Sequence, residues 1–234
     1  MQNNVTIIIP IFNEEENIGI LIDEIYNIFP YINILVVDDF SSDNSVSLVK
    51  KKINEYKKSL KISTKKINID NKWLTYSIIK GILLVKTKYF IVMDWDFQHP
   101  IININNFLYN FKNWKDIVIW ERKKIIFNEK KYRILISKIW NFLVNLKVMK
   151  NWFWLKDPLS WFFWWNVEIF KLIINNNINC FIWWWYKFLF EFLKLIKKDN
   201  FQIWYFNFNF WKRRFWYSKI NKKVILYFIN GLFK

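Results

Sequence analysis

The chain has 234 residues, enough for one large domain with a sizeable core. Lys and Arg number 36 against 19 acidic residues, a formal charge of +17, which points to an anionic partner: nucleic acid, a phosphorylated substrate or an anionic membrane surface. The single cysteine, Cys180, excludes an internal disulfide, and the single histidine, His99, argues against a His-based zinc site. No charged leader opens the chain and no uncharged apolar run reaches the roughly 18 residues of a spanning helix, so the expectation is a cytoplasmic protein.

In chain order, residues 5–9 form a continuous β-type run closed by Pro10. Asn13-Glu14-Glu15-Glu16 then opens a helix with Ile18, Leu21, Ile22 and Ile25 at helical spacing. A second apolar run, 32–37, ends in Asp38-Asp39-Phe40-Ser41-Ser42-Asp43 and is followed by another helical pattern, Val46, Val49 and Ile53. Asp38 and Asp43 read first as helix-capping residues. A strand near 60–62, a loop carrying Asn71 and Lys72, and a helix over 75–85 lead into the next strand. This alternation implies a parallel sheet with crossover connections.

That next strand, 89–93, ends abruptly in Asp94, Asp96, Gln98 and His99 before Pro100. In extended chain two carboxylates two residues apart leave the same face and can share one divalent cation at the carboxyl edge of a sheet. The other reading is a polar loop that caps a helix after Pro100.

Residues 116–119 read as a further strand, and Trp120-Glu121-Arg122 follows it. The basic stretch 121–138 ends in a helical pattern of Ile136, Ile139, Phe142 and Leu143. Asp157-Pro158-Leu159-Ser160 breaks the chain before an aromatic-rich segment. Residues 187–196 read as an amphipathic helix with Glu191 among Phe and Leu, and 201–210 as an edge strand. Lys212-Arg213-Arg214, Ser218 and Lys219 follow, then an apolar tail flanked by basic residues that would pack on the domain or lie in a membrane interface. No repeat and no linker marks a domain boundary.

Sixteen tryptophans stand against three glycines, although a globular chain needs glycine for turns and close approaches. Several indoles occupy places that favour glycine: Trp183-Trp184-Trp185, Trp164-Trp165, and Trp95 between two candidate metal ligands. One reading is that many are glycines in an organism whose UGA codon means glycine. The other is a Trp-rich surface for lipid or stacked bases.

Six motifs in series resemble those of family 2 glycosyltransferases, and among them the dolichyl- or polyprenyl-phosphate mannosyltransferase group. They are Ile9-Pro10-Ile11-Phe12-Asn13-Glu14, Val37-Asp38-Asp39-Phe40-Ser41-Ser42-Asp43, Met93-Asp94-Trp95-Asp96-Phe97-Gln98-His99-Pro100, Trp120-Glu121-Arg122, Asp157-Pro158-Leu159-Ser160-Trp161-Phe162-Phe163, and Arg213-Arg214-Phe215-Trp216-Tyr217-Ser218-Lys219. The resemblance covers nearly the whole chain. It implies an α/β fold of glycosyltransferase A type, Rossmann-like, with a mostly parallel sheet flanked by helices in a single domain. That domain would span 1–220, with 221–234 as a basic and apolar tail at the membrane surface. The family has Gly where this chain has Trp73, Trp120, Trp161 and Trp216, and a small residue at Trp95, which favours the codon reading.

The resemblance also implies roles. Asp94, Asp96 and Gln98 match metal-binding positions, where Mg²⁺ or Mn²⁺ bridges the diphosphate of a nucleotide-sugar. Pro10, Asn13, Glu14, Asp38, Asp39, Asn71, Lys72 and Asp94 match or lie near donor-binding positions. Asp96, Arg122, Arg213 and Lys219 are the implied catalytic set, and Arg133, Asp157 and Ser160 the acceptor side. The implied reaction is inverting transfer of a hexose, best matched to mannose from GDP-mannose, onto a polyprenyl or dolichyl phosphate. It would take place peripherally at the inner face of a membrane, with no nucleic acid involved. A lipid monophosphate is already an anionic nucleophile, so positioning and cations suffice, whereas a saccharide hydroxyl would need a general base near the metal.

Three departures stand out: Phe40 replaces a usual Gly, Glu121 a usual Ser, and the family's Glu-Val-Pro type sequence is missing near 203–206. The alternatives are a family 2 enzyme acting on a saccharide hydroxyl and, more distantly, a basic nucleic-acid-binding protein.

Overall fold

A computed structural model describes residues 1–64, 74–112, 116–125, 131–151, 155, 162–177, 188–196 and 200–210. Seven strands form one sheet in the order β3-β2-β1-β4-β6-β5-β7. The first half alternates: β1 (Val5–Ile11), α1 (Ile18–Ile28), β2 (Asn33–Asp38), α2 (Ser45–Tyr56), β3 (Leu60–Thr64), α3 (Leu74–Leu84) and β4 (Tyr89–Val92). β1, β2, β3 and β4 are all parallel, as the strand–helix alternation requires.

The second half contains α4 (Ile104–Lys112), β5 (Ile117–Ile125), α5 (Lys131–Val148), β6 (Phe163–Asn166), α6 (Val167–Asn177), α7 (Phe188–Leu193) and β7 (Ile203–Phe210). β6 runs antiparallel between β4 and β5, and β7 adds parallel to the outer side of β5. The sheet is therefore mostly parallel with one reversed strand.

Both faces of the sheet are covered. One core joins Ile8, Val37, Phe90, Val92 and Ile119 to α3, α6 and α7. The other joins Ile7, Ile9, Val36, Ile91 and Met93 to α1, Val49 of α2 and Phe107 of α4. Strands buried on both faces read as unbroken apolar runs, which is why β1, β2 and β4 stand out in the sequence. α1 places Ile18, Leu21, Ile22 and Ile25 inward, as their spacing predicts.

Several boundaries differ from the sequence reading. Pro10 does not end β1, which continues to Ile11 paired with Asp38. The Ile8 carbonyl accepts the Met93 N–H at 3.1 Å, so the Ile8 side of the backbone faces β4. Pro10, two residues on, faces the same way, beyond the last β4 pair, and its missing N–H interrupts no ladder bond. β5 continues through Trp120, Glu121 and Arg122 to Ile125 instead of stopping at Ile119. α7 is not amphipathic: all six of its residues are buried, Glu191 included.

Among the described residues no helix is long and apolar enough to cross a membrane. The tail at 221–234 lies outside the described residues.

Candidate active site

From β1 the chain crosses to β2 on one side, and β4 lies on the other, so strand order reverses between β1 and β4. Outside the carboxyl ends of these strands the two crossovers diverge and leave a crevice, where open α/β sheets bind ligands. The loops after β1, β2 and β4 meet at this edge.

The first two loops are joined by hydrogen bonds. The Asn13 N–H donates to Ser41 Oγ at 2.9 Å, and Asn13 Oδ1 accepts from the Ser42 N–H at 2.8 Å. The Glu14 N–H donates to Ser45 Oγ at 2.7 Å, and Glu15 exchanges bonds with Asp43 and Asn44. Asn13 adopts φ 55°, a left-handed conformation that asparagine tolerates. Glu14 is 1% exposed, beneath this seam.

The two acidic residues read as helix caps divide. Asp43 stands just before the N-cap Asn44 of α2 and serves the helix start: its carboxylate accepts the Ser45 N–H at 3.0 Å and the Glu15 N–H at 3.1 Å. Burial pushes its carboxyl up, but the Ser45 hydroxyl and these N–H groups together hold it below the usual carboxylate range. Asp38 is not a cap. It ends β2 fully buried, its Oδ1 accepting the Ser41 N–H at 3.1 Å within the turn. Its Oδ2 is buried with no hydrogen-bond partner among the described residues. A buried carboxylate oxygen without a donor is costly, and a ribose hydroxyl or base N–H would supply one. Asp39 lies beside it, partly exposed, its N–H donating to the Ile11 carbonyl at 2.8 Å.

The carboxylates after β4 do not sit on extended chain. The strand ends at Val92, and Phe97 at φ 61° folds the loop back so that the Gln98 N–H donates to Asp96 Oδ1 at 3.1 Å. Asp94 stays partly exposed while Asp96 and Gln98 are buried. His99, also buried, accepts the Asp94 N–H on Nδ1 at 3.2 Å. Its Nε2 lies 4.0 Å from Asp94 Oδ2, and its ring stacks on Phe162 at 4.7 Å between centroids. The histidine thus orders the loop and ties it to the chain entering β6, as a loop-ordering residue should.

Trp95, between the two carboxylates in sequence, packs partly buried against the core on the α1 and α4 side.

Among the described residues no group of three His, Cys, Asp or Glu side chains could hold a metal alone. Two hard carboxylates and an amide at a strand end instead match how Mg²⁺ is commonly held, by one or two carboxylates with substrate phosphates completing its shell. The residues fit a cation that arrives with a diphosphate.

The structure brings together Pro10, Asn13, Glu14, Asp38, Asp39, Asp94, Asp96 and Gln98 at one edge. Arg122 and Arg133 are placed by backbone alone, in β5 and α5, and their side chains lie outside the description. Asn71, Lys72, Asp157, Ser160, Arg213 and Lys219 lie outside the described residues. Ser45 and Phe162 were missed as supporting residues. The Asp43-x-Ser45 spacing at a helix start could have flagged the first, and nothing local flags the second. A separate depression lined by Gln2, Tyr31 and Tyr109 opens near the start of β1, at the opposite edge.

Comparison with known proteins agrees with this arrangement. Residues 6–174, from β1 into α6, match the family model for glycosyl transferase family 2. The chain is 30% identical over 237 residues to a dolichol-phosphate mannosyltransferase of Pyrococcus furiosus, an alignment covering 98% of this chain and 63% of that protein. The chain thus spans less than two thirds of that relative's length. An uncharacterised protein of Methanocaldococcus jannaschii is 36% identical over 106 residues, 43% of this chain and 44% of its own.

Among solved structures, mannosyl-3-phosphoglycerate synthase from Rubrobacter xylanophilus superposes with a TM-score of 0.60 at 13% identity, covering 98% of this chain and 72% of that one. Glucosyl-3-phosphoglycerate synthase from Mycobacterium tuberculosis, in complex with Mn²⁺, UDP-glucose and phosphoglyceric acid, gives 0.61 at 11% identity, with 98% and 77% covered. These two likenesses establish the shared fold. With the family model spanning the strands and loops that build the crevice, the chain belongs to glycosyl transferase family 2.

Proposed function

We propose that the protein is an inverting hexosyltransferase that uses Mg²⁺ or Mn²⁺ to move mannose from GDP-mannose onto a polyprenyl phosphate at a membrane surface. The observation that carries the reading is the crevice between β1 and β4. There an unpartnered buried oxygen of Asp38 and the Asp94, Asp96 and Gln98 loop stand at one sheet edge, with complementary roles toward the two ends of a nucleoside diphosphate. The choice of lipid phosphate and mannose rests on similarity to the Pyrococcus protein.

In this reading Asp38 and Asp39 accept hydrogen bonds from the nucleoside, while the Asn13–Glu14 loop forms the floor beneath it. Asp94 and Asp96 hold the divalent cation, which would neutralise charge on the departing diphosphate. The acceptor phosphate oxygen attacks the anomeric carbon opposite the leaving group, the new C–O bond forming as the bond to the diphosphate breaks. The acceptor is already ionised, so no side chain need remove a proton. Arg122, Arg133, Arg213 and Lys219 are the cations proposed for the two phosphate groups, Arg through its bidentate fork. Asn71 and Lys72 are proposed on the donor side, and Asp157 and Ser160 on the acceptor side.

The test is transfer of labelled mannose to a polyprenyl phosphate in detergent. Activity should vanish with a chelator, return with Mg²⁺ or Mn²⁺, and fall at least about 100-fold in Asp96→Ala, the scale of losing one transition-state charge stabiliser. Efficient transfer to a saccharide or phosphoglycerate hydroxyl instead, with none to the lipid, would overturn the acceptor assignment.

A further inference from the structure

Five large apolar side chains lie exposed along one stripe of α5 and the turn that follows it: Ile139, Phe142, Leu143, Leu146 and Met149, each between 37% and 54% exposed. Their spacing of three, four, seven and ten residues from Ile139 puts them on one face. The helix cannot rotate to hide them. Val144 and Val148 are fully buried on the opposite side, and the Asn145 side chain locks onto the Leu155 backbone, its amide donating to the carbonyl at 2.7 Å and its oxygen accepting the N–H at 2.9 Å. Other exposed apolar residues, such as Ile20, Tyr31 and Tyr109, are spread over separate elements. A contiguous stripe of this kind marks an interaction surface.

Charge says what covers it. Lys147 and Lys150 are exposed beside the stripe, and residues 122–150 carry nine Lys and Arg against one Glu. An apolar face bordered by lysines in a chain of formal charge +17 complements an anionic lipid surface, with apolar groups entering the acyl boundary and ammonium groups meeting headgroups.

Topology adds position. β5 leaves the sheet at its carboxyl edge, and antiparallel β6 enters from that same edge, Phe163 pairing with both Val92 and Ile119. The excursion that contains α5 is therefore tethered at both ends to the edge that carries Asp94, Asp96 and Gln98.

We propose that the exposed face of α5 docks the protein on an anionic bilayer and so brings the candidate active site to a lipid-borne phosphate. The lipid acceptor rests on the proposed function; the docking face itself rests on α5. The experiment is sedimentation of the full chain with vesicles of phosphatidylcholine alone or with phosphatidylglycerol, comparing wild type with Phe142→Gln/Leu146→Gln and Lys147→Glu/Lys150→Glu. Circular dichroism verifies folding. Transfer is measured in parallel to a long-chain polyprenyl phosphate in vesicles and to a short-chain, water-soluble one.

The wild type should bind phosphatidylglycerol vesicles at least about tenfold more tightly than neutral ones, and salt should weaken the binding. Each double variant should lose about tenfold in binding and in transfer from vesicles, while keeping transfer to the short-chain acceptor. Vesicle binding unchanged in both folded variants overturns the proposal, as does self-association that the variants abolish without any vesicle binding. Vesicle binding that depends on α5, with no transfer to either acceptor, upholds the docking face and overturns the acceptor reading instead.

Discussion

Phe40 occupies φ 68° with its ring about half exposed, in the turn between Asp39 and Ser41. A bulky side chain in this region crowds its own carbonyl, at a cost of about 1–2 kcal/mol, and the exposed ring recovers little of it. Phe40→Gly should therefore raise unfolding stability by about 1 kcal/mol in urea titration, net of glycine's extra chain entropy. An unchanged or lower midpoint would show that the ring makes contacts worth keeping. The departure from the usual glycine is visible in the sequence, but the backbone conformation that makes it costly is not. Asp38 and Asp43 carry a similar lesson. Both follow the apolar run 32–37, and only the hydrogen bonds separate Asp43, which serves the start of α2, from Asp38, whose second oxygen is buried without a partner among the described residues.

At the scale of elements, helix α3 lies close on the sheet at Gly81, where an added Cβ would come within 2.7 Å of an Ile8 methyl and 3.0 Å of a Val37 methyl. Gly19, in the first turn of α1, has nothing within 4 Å. Alanine is the better helix former at both, by up to about 1 kcal/mol. Gly19→Ala should accordingly gain roughly 0.5 kcal/mol. Gly81→Ala should lose on the order of 1 kcal/mol, because overpacking a helix–sheet contact costs about 1–3. Thermal unfolding of the two variants side by side checks the opposite signs.

The alternation from β1 to β4 was legible because each strand is a short β-branched run and each helix has an apolar face at the right spacing. β6 and α6 were not, and α7 was legible as a helix but not as a fully buried one. Phe162 and Phe163, at the start of β6, are buried in opposite cores, so no two-residue period survives to be read there, and α7 is buried all round, Glu191 included. The Asp94 and Asp96 carboxylates were legible as a pair, and the fold-back at Phe97 that shapes their loop was not.

For the whole molecule the tryptophans pose the largest question, and the structure divides them. Trp95 is only partly buried at the margin of its core, whereas Trp165 is fully buried against Phe170, Phe192 and Phe201. The Trp165 indole N–H has no hydrogen-bond partner among the described residues, so burial there carries a polar penalty. Trp165→Phe should consequently cost less than about 1 kcal/mol, and Trp165→Gly about 3–5 kcal/mol through the cavity it leaves, both by chemical denaturation. Peptide mass spectrometry of the protein from its own source reads positions 95 and 165 directly. The codon reading expects glycine at both, and at 165 it requires the neighbouring rings to close the space.

The pairing of β5 with β7 bears on how the chain reaches this fold. The N-terminal strands are joined by short crossovers and can assemble on local contacts, but Asp116 meets Gln202 across 86 residues. That closure carries a large loop entropy and falls late in synthesis. Until β7 arrives, the nine-residue β5 offers an open row of backbone donors and acceptors on its outer side. The nascent protein thus has a well-made N-terminal half attached to a sticky edge, and the interval between the two is where aggregation competes with folding.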